Sequence, residues 1–450
     1  MCGIIGIANH GEASNLAYLS LYAEQHRGQE SAGIATFADD GFHVHRGMGH
    51  VAEVFDASML ARLPGKVAIG QVRYSTTGSS VIENAQPFFM RTSQDVLAVA
   101  HNGDITNSRL LKKQLEVQGA IFQSTTDTEV LLHLVARARG ANMVERVLEA
   151  LKQVEGAYSL VFLSNNTLIA ARDPYGFRPL VLGKVGEAFV VASESCALDL
   201  IDATYIREVE PGEVLIFEES GMRSLKPFAL AKNQARCIFE YVYFARPDSK
   251  VYGRDVYPVR MGFGAQLAKQ HAVAADVVIA IPDSGVPAAI GYAKESGIPY
   301  ALGLIRNHYV GRTFIEPKSE IRDFGVKLKL NPVREVLEGK RVIVVDDSIV
   351  RGTTSRKIVK MLRNAGAKEV HMRISSPPTM WPCYYGIDTP LREELTAAQH
   401  SVAEICKIIE ADSLAYLSTD GLYWFVPPAE RSSFCDACFS GNYPVPPRVA

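Results

Sequence analysis

Val342-Ile343-Val344-Val345-Asp346-Asp347-Ser348-Ile349-Val350-Arg351-Gly352-Thr353-Thr354-Ser355 decides the fold of the second half of this chain. Four apolar β-formers in a row, with no polar alternation, describe a strand buried on both faces, as in a parallel sheet covered by helices. Two acids end the strand, and a loop of glycine and hydroxyl residues opens a helical run over Ser355–Asn364. Ligands of open parallel sheets sit beyond strand C-termini, so Asp346 and Asp347 stand at a site. The backbone N–H groups of Ser348, Val350, Arg351, Gly352, Thr353, Thr354 and Ser355 suit a phosphate monoester. The acids suit ribose hydroxyls or Mg²⁺, hard oxygen donors for a hard cation. An N-capped helix after an ordinary strand is the plain alternative, and it gives no reason for paired acids beside Arg-Gly-Thr-Thr-Ser. The G-x-x-x-x-G-K-[ST] loop is absent.

Similar strands surround this one at Asp276–Pro282, Tyr300–Ile305 and Glu369–Ile374, with a helical run from Gly285 through Ala293. The alternation predicts an α/β domain with a parallel sheet. Asp283-Ser284-Gly285 follows its own strand; Gly285 and the helix start suit a pyrophosphate and Ser284 can reach a metal. Taken alone that loop is equally a plain βα turn. Arg306–Leu330 is basic and loop-like, either a solvated charge run or a lid that folds over a polyanion and excludes water.

The first ~230 residues differ, in keeping with a length prior of roughly 150 residues per domain. Short runs at Cys2–Ala8, Ala32–Phe37, Lys66–Val72, Val96–Ala100 and Tyr158–Phe162 read as strands; Asn15–His26, Thr128–Arg139 and Met143–Val154 read as helices. This predicts α+β with antiparallel sheets. The boundary falls in the polar stretch 231–250, giving domains 2–235 and 236–450, and the Pro-rich tail after Tyr423 is expected to wrap.

Composition excludes several classes. Of 450 residues, 47% are apolar and 21% charged, as in a globular chain and not a disordered one. A net charge of −2 provides no basic field for nucleic acid or an anionic membrane. No apolar run approaches the ~18–20 residues of a membrane helix, and no secretory signal is visible, so a cytoplasmic enzyme is expected. Seven cysteines in a chain of this length do not make a disulfide scaffold.

Cys2 follows Met1, whose removal would place a thiol and an α-amine on one residue; with a reference pKa near ~7.7–8.0 the amine can take the thiol proton. Arg73 can clamp a carboxylate, Asn102 and the Gly103 N–H can form an oxyanion hole, and Asp127 can pair with an ammonium. Together they describe an amino acid with a side-chain amide. Singly, each has a plain reading: an exposed Arg, an Asn-Gly turn, a helix N-cap.

MCGIIGI, HRGQESAGIA (26–35), GQVRYSTTG (70–78), AHNGDITN (100–107) and DPYGFRPL (173–180) resemble the class II glutamine amidotransferases. The resemblance implies an αββα N-terminal-nucleophile fold, a glutamine site at Arg73, Thr76 and Asp127, and attack of Cys2 on the amide with NH₃ released. The Asp346–Ser355 run resembles the 5-phosphoribosyl-1-pyrophosphate (PRPP) motif of type I phosphoribosyltransferases. The combination resembles the glutamine PRPP amidotransferase family, in which NHYVGRTFI (307–315) and VKLKLNPV (326–333) match a flexible loop. That implies PRPP contacts from Tyr309, Arg312 and Lys327, with His308 where the family pattern has Arg. It also implies Mg²⁺ at Ser284, Asp346 and Asp347, ammonia transfer through an internal channel, inhibition by purine nucleotides, and a homodimer or homotetramer. The Bacillus-type pattern further implies a 4Fe–4S cluster on Cys237, Cys383, Cys435 and Cys438, with Cys196 and Cys406 in the core; four buried thiols are the alternative. Other class II amidotransferases need a different second half, and a PRPP-binding regulator would want a basic DNA-binding face.

Overall fold

The computed structural model describes residues 2–92, 95–229, 231–308, 329–389 and 391–446. Among these described residues, thirteen strands fill the first half: β1 (Gly3–Ala8), β2 (Ser31–Ala38), β3 (Gly41–Met48), β4 (Val67–Arg73), β5 (Phe88–Arg91), β6 (Val96–Ile105), β7 (Gly156–Ser164), β8 (Thr167–Arg172), β9 (Val181–Val185), β10 (Ala188–Ala192), β11 (Thr204–Glu208), β12 (Val214–Glu218) and β13 (Gly221–Leu225). They form two sheets, β11-β9-β10-β1-β4-β2-β3 and β13-β12-β8-β7-β6-β5. The sheets face each other through Ile4, Ile69, Ala98, Val161, Leu168 and Phe217. Helix Ala13–Ala23 covers Ile5 and Ile7 on one outer face. Helices Ser108–Val117, Glu129–Arg137 and Met143–Leu151 cover Leu97, Val99 and Leu160 on the other. The αββα sandwich is thus built. Both faces of β1 are covered, which is why GIIGIA shows no polar alternation although its neighbours are antiparallel.

β6 runs on beyond the expected Val96–Ala100. His101, Asn102 and Gly103 stay in the ladder opposite Leu160, Ser159 and Tyr158. Polar residues at buried ladder positions break the hydrophobic pattern without ending the strand.

The second half carries β14 (Arg236–Cys237), a small hairpin of β15 (Lys250–Val251) and β16 (Arg254–Asp255), then β17 (Val277–Ala280), β18 (Leu304–Arg306), β19 (Leu330–Pro332), β20 (Arg341–Asp346), β21 (Glu369–Ile374), β22 (Ser413–Tyr416) and β23 (Phe434–Cys435). The parallel sheet is β17-β20-β21-β22. Val278, Ile343 and Val345 meet helices Val256–Gln270 and Val286–Ser296 on one face. Ile279, Val342 and Val344 meet helices Thr353–Asn364 and Val402–Ile408 on the other.

Tyr300–Ile305 does not form the strand expected there. Tyr300 makes one bridge to Val278, the Ala301 and Gly303 amides donate to the Val278 and Ala301 carbonyls, and the chain turns away to pair β18 antiparallel with β19. The tail does wrap: β23 lies parallel to β14 with Cys435 opposite Cys237.

Candidate active site

Cys2 enters half-buried at the head of β1, and its surroundings come from both sheets. Its backbone N donates to Asn102 Oδ1 at 3.3 Å, its carbonyl accepts from Arg27 Nε at 3.0 Å, and Sγ lies 3.8 Å from the Tyr74 carbonyl. Asn102 Nδ2 is buried with no hydrogen-bond partner among the described residues. A buried amide donor is costly to leave open, and beside a nucleophile it is placed to receive a developing oxyanion. Gly103 follows with φ +153°, and a Cβ there would meet the Ala157 carbonyl oxygen at 2.0 Å, so only glycine fits.

Arg73 is buried and turned into the following loop. It donates to Ser75 Oγ (2.7 Å) and to the Thr77 (3.1 Å) and Ser79 (3.2 Å) carbonyls, with Glu30 3.7 Å away. Thr76, half-buried, sits within that loop. Asp127 is buried, accepting from the Ile105 amide at 2.8 Å and lying 3.6 Å from His101 Nδ1. Burial acts to raise the Asp127 carboxyl, but His101 and the Ile105 amide outweigh it and hold the group below its ordinary range. Asp104 goes the other way. Burial and the neighbouring Asp127 charge push it up to about 7, while the Thr77 hydroxyl donates to it at 2.7 Å.

Beneath Cys2 lies an ionic network that the motifs did not disclose. Fully buried Arg27 pairs with Glu194 and, at 2.9 Å, with Glu240; Arg178 reaches Glu240 at 3.3 Å and the Tyr385 carbonyl at 2.8 Å. His26 contacts Glu194 at 2.8 Å. Glu240 begins the segment Glu240–Phe244 at the junction of the halves, so the network spans the seam. Arg27 and Arg178 stand inside HRGQES and DPYGFRPL. An arginine in a glycine-rich motif was the one available signal, and it does not say what it pairs with.

The second site is a cavity of about 640 Å³ lined by Asp346, Asp347 and the Ser348–Ser355 loop. His26, Gln29 and Tyr74 of the first half form part of its wall. The Ser284 and Ser348 hydroxyls donate to Asp347 at 2.5 and 2.6 Å. Burial pushes both acids up, and the Asp347 charge adds to this at Asp346. Helix Thr353–Asn364 opens at Gly352, with Thr353 and Thr354 exposed and Ser355 buried. Arg351 instead turns to Glu394 at 2.8 Å, and Val350 accepts from the Thr396 amide at 2.9 Å. Asp283 is exposed and pairs with Arg306. The Gly285 amide donates to the Ile281 carbonyl, and a Cβ there would lie 2.5 Å from the Val345 oxygen, so in this state Gly285 serves helix–strand packing. Tyr309, Arg312 and Lys327 lie outside the described residues.

Cys237, Cys383, Cys435 and Cys438 lie within electrostatic reach of one another, and all four are free. Burial pushes the Cys237 thiol up to about 11, opposed by Arg178. Cys196 and Cys406 stand elsewhere, against Glu194 and the Ala411 carbonyl. Among the described residues no group of three or more His, Cys, Asp or Glu closes round a single metal ion. No helix among them is long and apolar enough to cross a membrane.

Residues 72–200 match the glutamine amidotransferase domain family, and 264–375 the phosphoribosyl transferase domain family. Amidophosphoribosyltransferase of Bacillus subtilis is 50% identical over 98% of this chain and 94% of its own length. The chloroplastic amidophosphoribosyltransferase 1 of Arabidopsis thaliana is 56% identical over 99% of this chain and 79% of its own. The solved B. subtilis glutamine PRPP amidotransferase, complexed with ADP and GMP, superposes with a TM-score of 0.93 at 49% identity, covering 98% of this chain and 97% of that one. Two domains of matching kind, in the same order and over nearly full length, settle the assignment: the chain belongs to the amidophosphoribosyltransferase family, glycosyltransferases with glutamine amidotransferase activity that carry out the first step of purine biosynthesis.

Proposed function

We propose that residues 2–235 release ammonia from glutamine at Cys2 and that residues 236–450 add it to PRPP, giving 5-phosphoribosylamine, glutamate and pyrophosphate. One observation carries this reading: the cavity under Asp346–Ser355 is walled by His26, Gln29 and Tyr74, and Tyr74 is also the residue whose carbonyl faces Cys2 Sγ. A residue shared by the thiol's surroundings and the acceptor cavity's wall supports transfer of ammonia inside the enzyme. Near pH 7 ammonia in water is mostly NH₄⁺, which cannot attack, so an enclosed path has a chemical purpose.

In this reading the freed α-amine of Cys2 takes the thiol proton, the thiolate attacks the glutamine amide carbon, and Asn102 Nδ2 with the Gly103 N–H receives the oxyanion. The thioester forms as NH₃ departs, and water releases glutamate. Asp127, charged and fixed, takes the substrate ammonium; Arg73 takes its carboxylate by exchanging the loop carbonyls it now holds. At the second site the Ser348–Ser355 loop cradles the 5-phosphate and Asp346 and Asp347 fix the ribose. Tyr309, Arg312, Lys327, Asp283, Ser284 and Gly285 are the further PRPP contacts in this reading. Ammonia attacks C1 and pyrophosphate leaves with inversion. Ser284, which donates to Asp347, and the neighbouring Asp346 are hard oxygen donors of the kind that would hold Mg²⁺, which when bound would neutralise the leaving pyrophosphate.

The four thiols, drawn from three places in the sequence and within electrostatic reach of one another beside the Arg178 charge, support a Bacillus-type 4Fe–4S cluster that would staple the tail to the junction. Purine nucleotides are the inhibitors in this reading, a homo-oligomer the assembly, and the cytoplasm the compartment. The test is Cys2→Ala. Glutamine-driven synthesis is expected to vanish while ammonium salt still yields the amine sugar; survival of the glutamine reaction overturns the assignment. Iron content and visible absorbance of the same preparation report on the cluster.

A further inference from the structure

Gly386 approaches the glutamine pocket from the other half of the chain, and no step above uses it. It stands three residues after Cys383 with φ +98°. A Cβ there would lie 2.8 Å from the carbonyl carbon and oxygen of Gly103 and 2.9 Å from its Cα. Those atoms are backbone, which cannot swing aside as a side-chain tip can. Gly103 excludes a Cβ of its own, so two glycines meet back to back.

The loop that carries Gly386 is held at Tyr385. The Tyr385 carbonyl accepts from Arg178 Nε at 2.8 Å. Its hydroxyl donates to the Val445 carbonyl at 2.5 Å and accepts from the Val445 amide at 3.0 Å. Its amide donates to Cys383 Sγ at 3.3 Å, and its ring stacks on Phe177 with centroids 4.2 Å apart. Every polar atom of Tyr385 is engaged, so Gly386 presses on Gly103 as a fixed wall.

We propose that Gly386 is a positioning residue for glutamine hydrolysis: it braces Gly103 from behind, keeps that N–H aimed at the oxyanion, and ties the aim to the loop of Cys383. The proposal rests on the assignment of Asn102 and Gly103 as the oxyanion donors. An oxyanion donor acts on charge that exists only in the transition state, so displacing it lowers kcat and spares KM. A misplacement of about 1 Å can cost ~10²-fold.

The experiment is Gly386→Ala in the full-length protein, assayed for ammonia release from glutamine and, separately, for ammonium-driven synthesis. The kcat for glutamine is expected to fall roughly 10- to 100-fold, with KM for glutamine and the ammonium-driven rate within about twofold of the parent. An unchanged kcat overturns the proposal. A parallel fall of the ammonium-driven rate also overturns it, because that pattern belongs to general damage. If the alanine chain does not accumulate folded, Tyr385→Leu removes the Val445 bonds and the ring stack without adding bulk. A severalfold loss confined to the glutamine kcat supports the brace, and no loss overturns it. Asn102→Ala is measured alongside. If it leaves glutamine hydrolysis intact, the donor assignment itself is wrong and the brace falls with it; if it abolishes hydrolysis while Gly386→Ala does nothing, only the brace is wrong.

Discussion

The two candidate sites follow opposite plans. The Asp346–Ser355 site is one contiguous run: a strand delivers two acids, a loop turns, and a helix presents its amides. Its ligand groups come with chain direction. The Cys2 site converges from β1, β4 and β6, then draws Arg27 from the short 3-10 helix Gln25–Arg27, Glu240 from the junction and Gly386 from the tail half. The first plan localises the consequences of substitution; the second spreads them across both halves of the molecule.

Glu240→Ala tests the second plan most severely. It leaves Arg27 and Arg178 buried without their shared carboxylate, and removing one partner of such a network costs about 3–5 kcal/mol. Denaturant unfolding should show this loss, and a change under ~1 kcal/mol would mean the seam is wet. Asn102→Ala comes next, with an expected ~10²–10³-fold fall in kcat for ammonia release from glutamine.

Asp104→Asn sharpens the contrast through pH. The Asp104 carboxyl is raised to about 7 in the fold. Its stabilising contribution is therefore complete below the unfolded value near ~3.9 and is lost as pH rises through about 7. Asn keeps an acceptor for Thr77 and does not ionise, so the variant should gain on the parent between pH 5 and pH 8. Thermal unfolding at the two pH values measures it, and an equal difference at both would refute the assignment. Arg351→Ala should do least to stability. Its pair with Glu394 is about half exposed, at 55% and 49%, and such pairs contribute about 0–1 kcal/mol.

How legible each region is in the sequence follows from the same contrast. The Val342–Ser355 run contains its own strand, acids and loop within fourteen residues, and a reader meets the chemistry and its scaffold together. β1 and β4 are equally plain, because unbroken apolar residues announce a strand covered on both sides. Glu194 and Glu240 were invisible. In a sequence, a glutamate bound for a buried network looks like one bound for solvent, and its partners lie far off along the chain. Gly386 is harder still, since its role is defined by what its missing side chain would strike. Tyr300–Ile305 has strand composition, but which way its amides point is a tertiary matter. His101–Asp104 hid inside β6 because buried polar residues carry no periodicity.

The β14–β23 pairing has a consequence for biosynthesis. Domains emerging from a ribosome fold in order, N-terminal first. The sandwich and most of the parallel sheet can form while the chain is still attached, but Cys237 meets Cys435 only once the chain has been made as far as β23. The start of the second half is therefore closed late, after the Arg27 and Arg178 pairs to Glu240 have become available, and a chain stopped short of β23 would leave β14 unpaired.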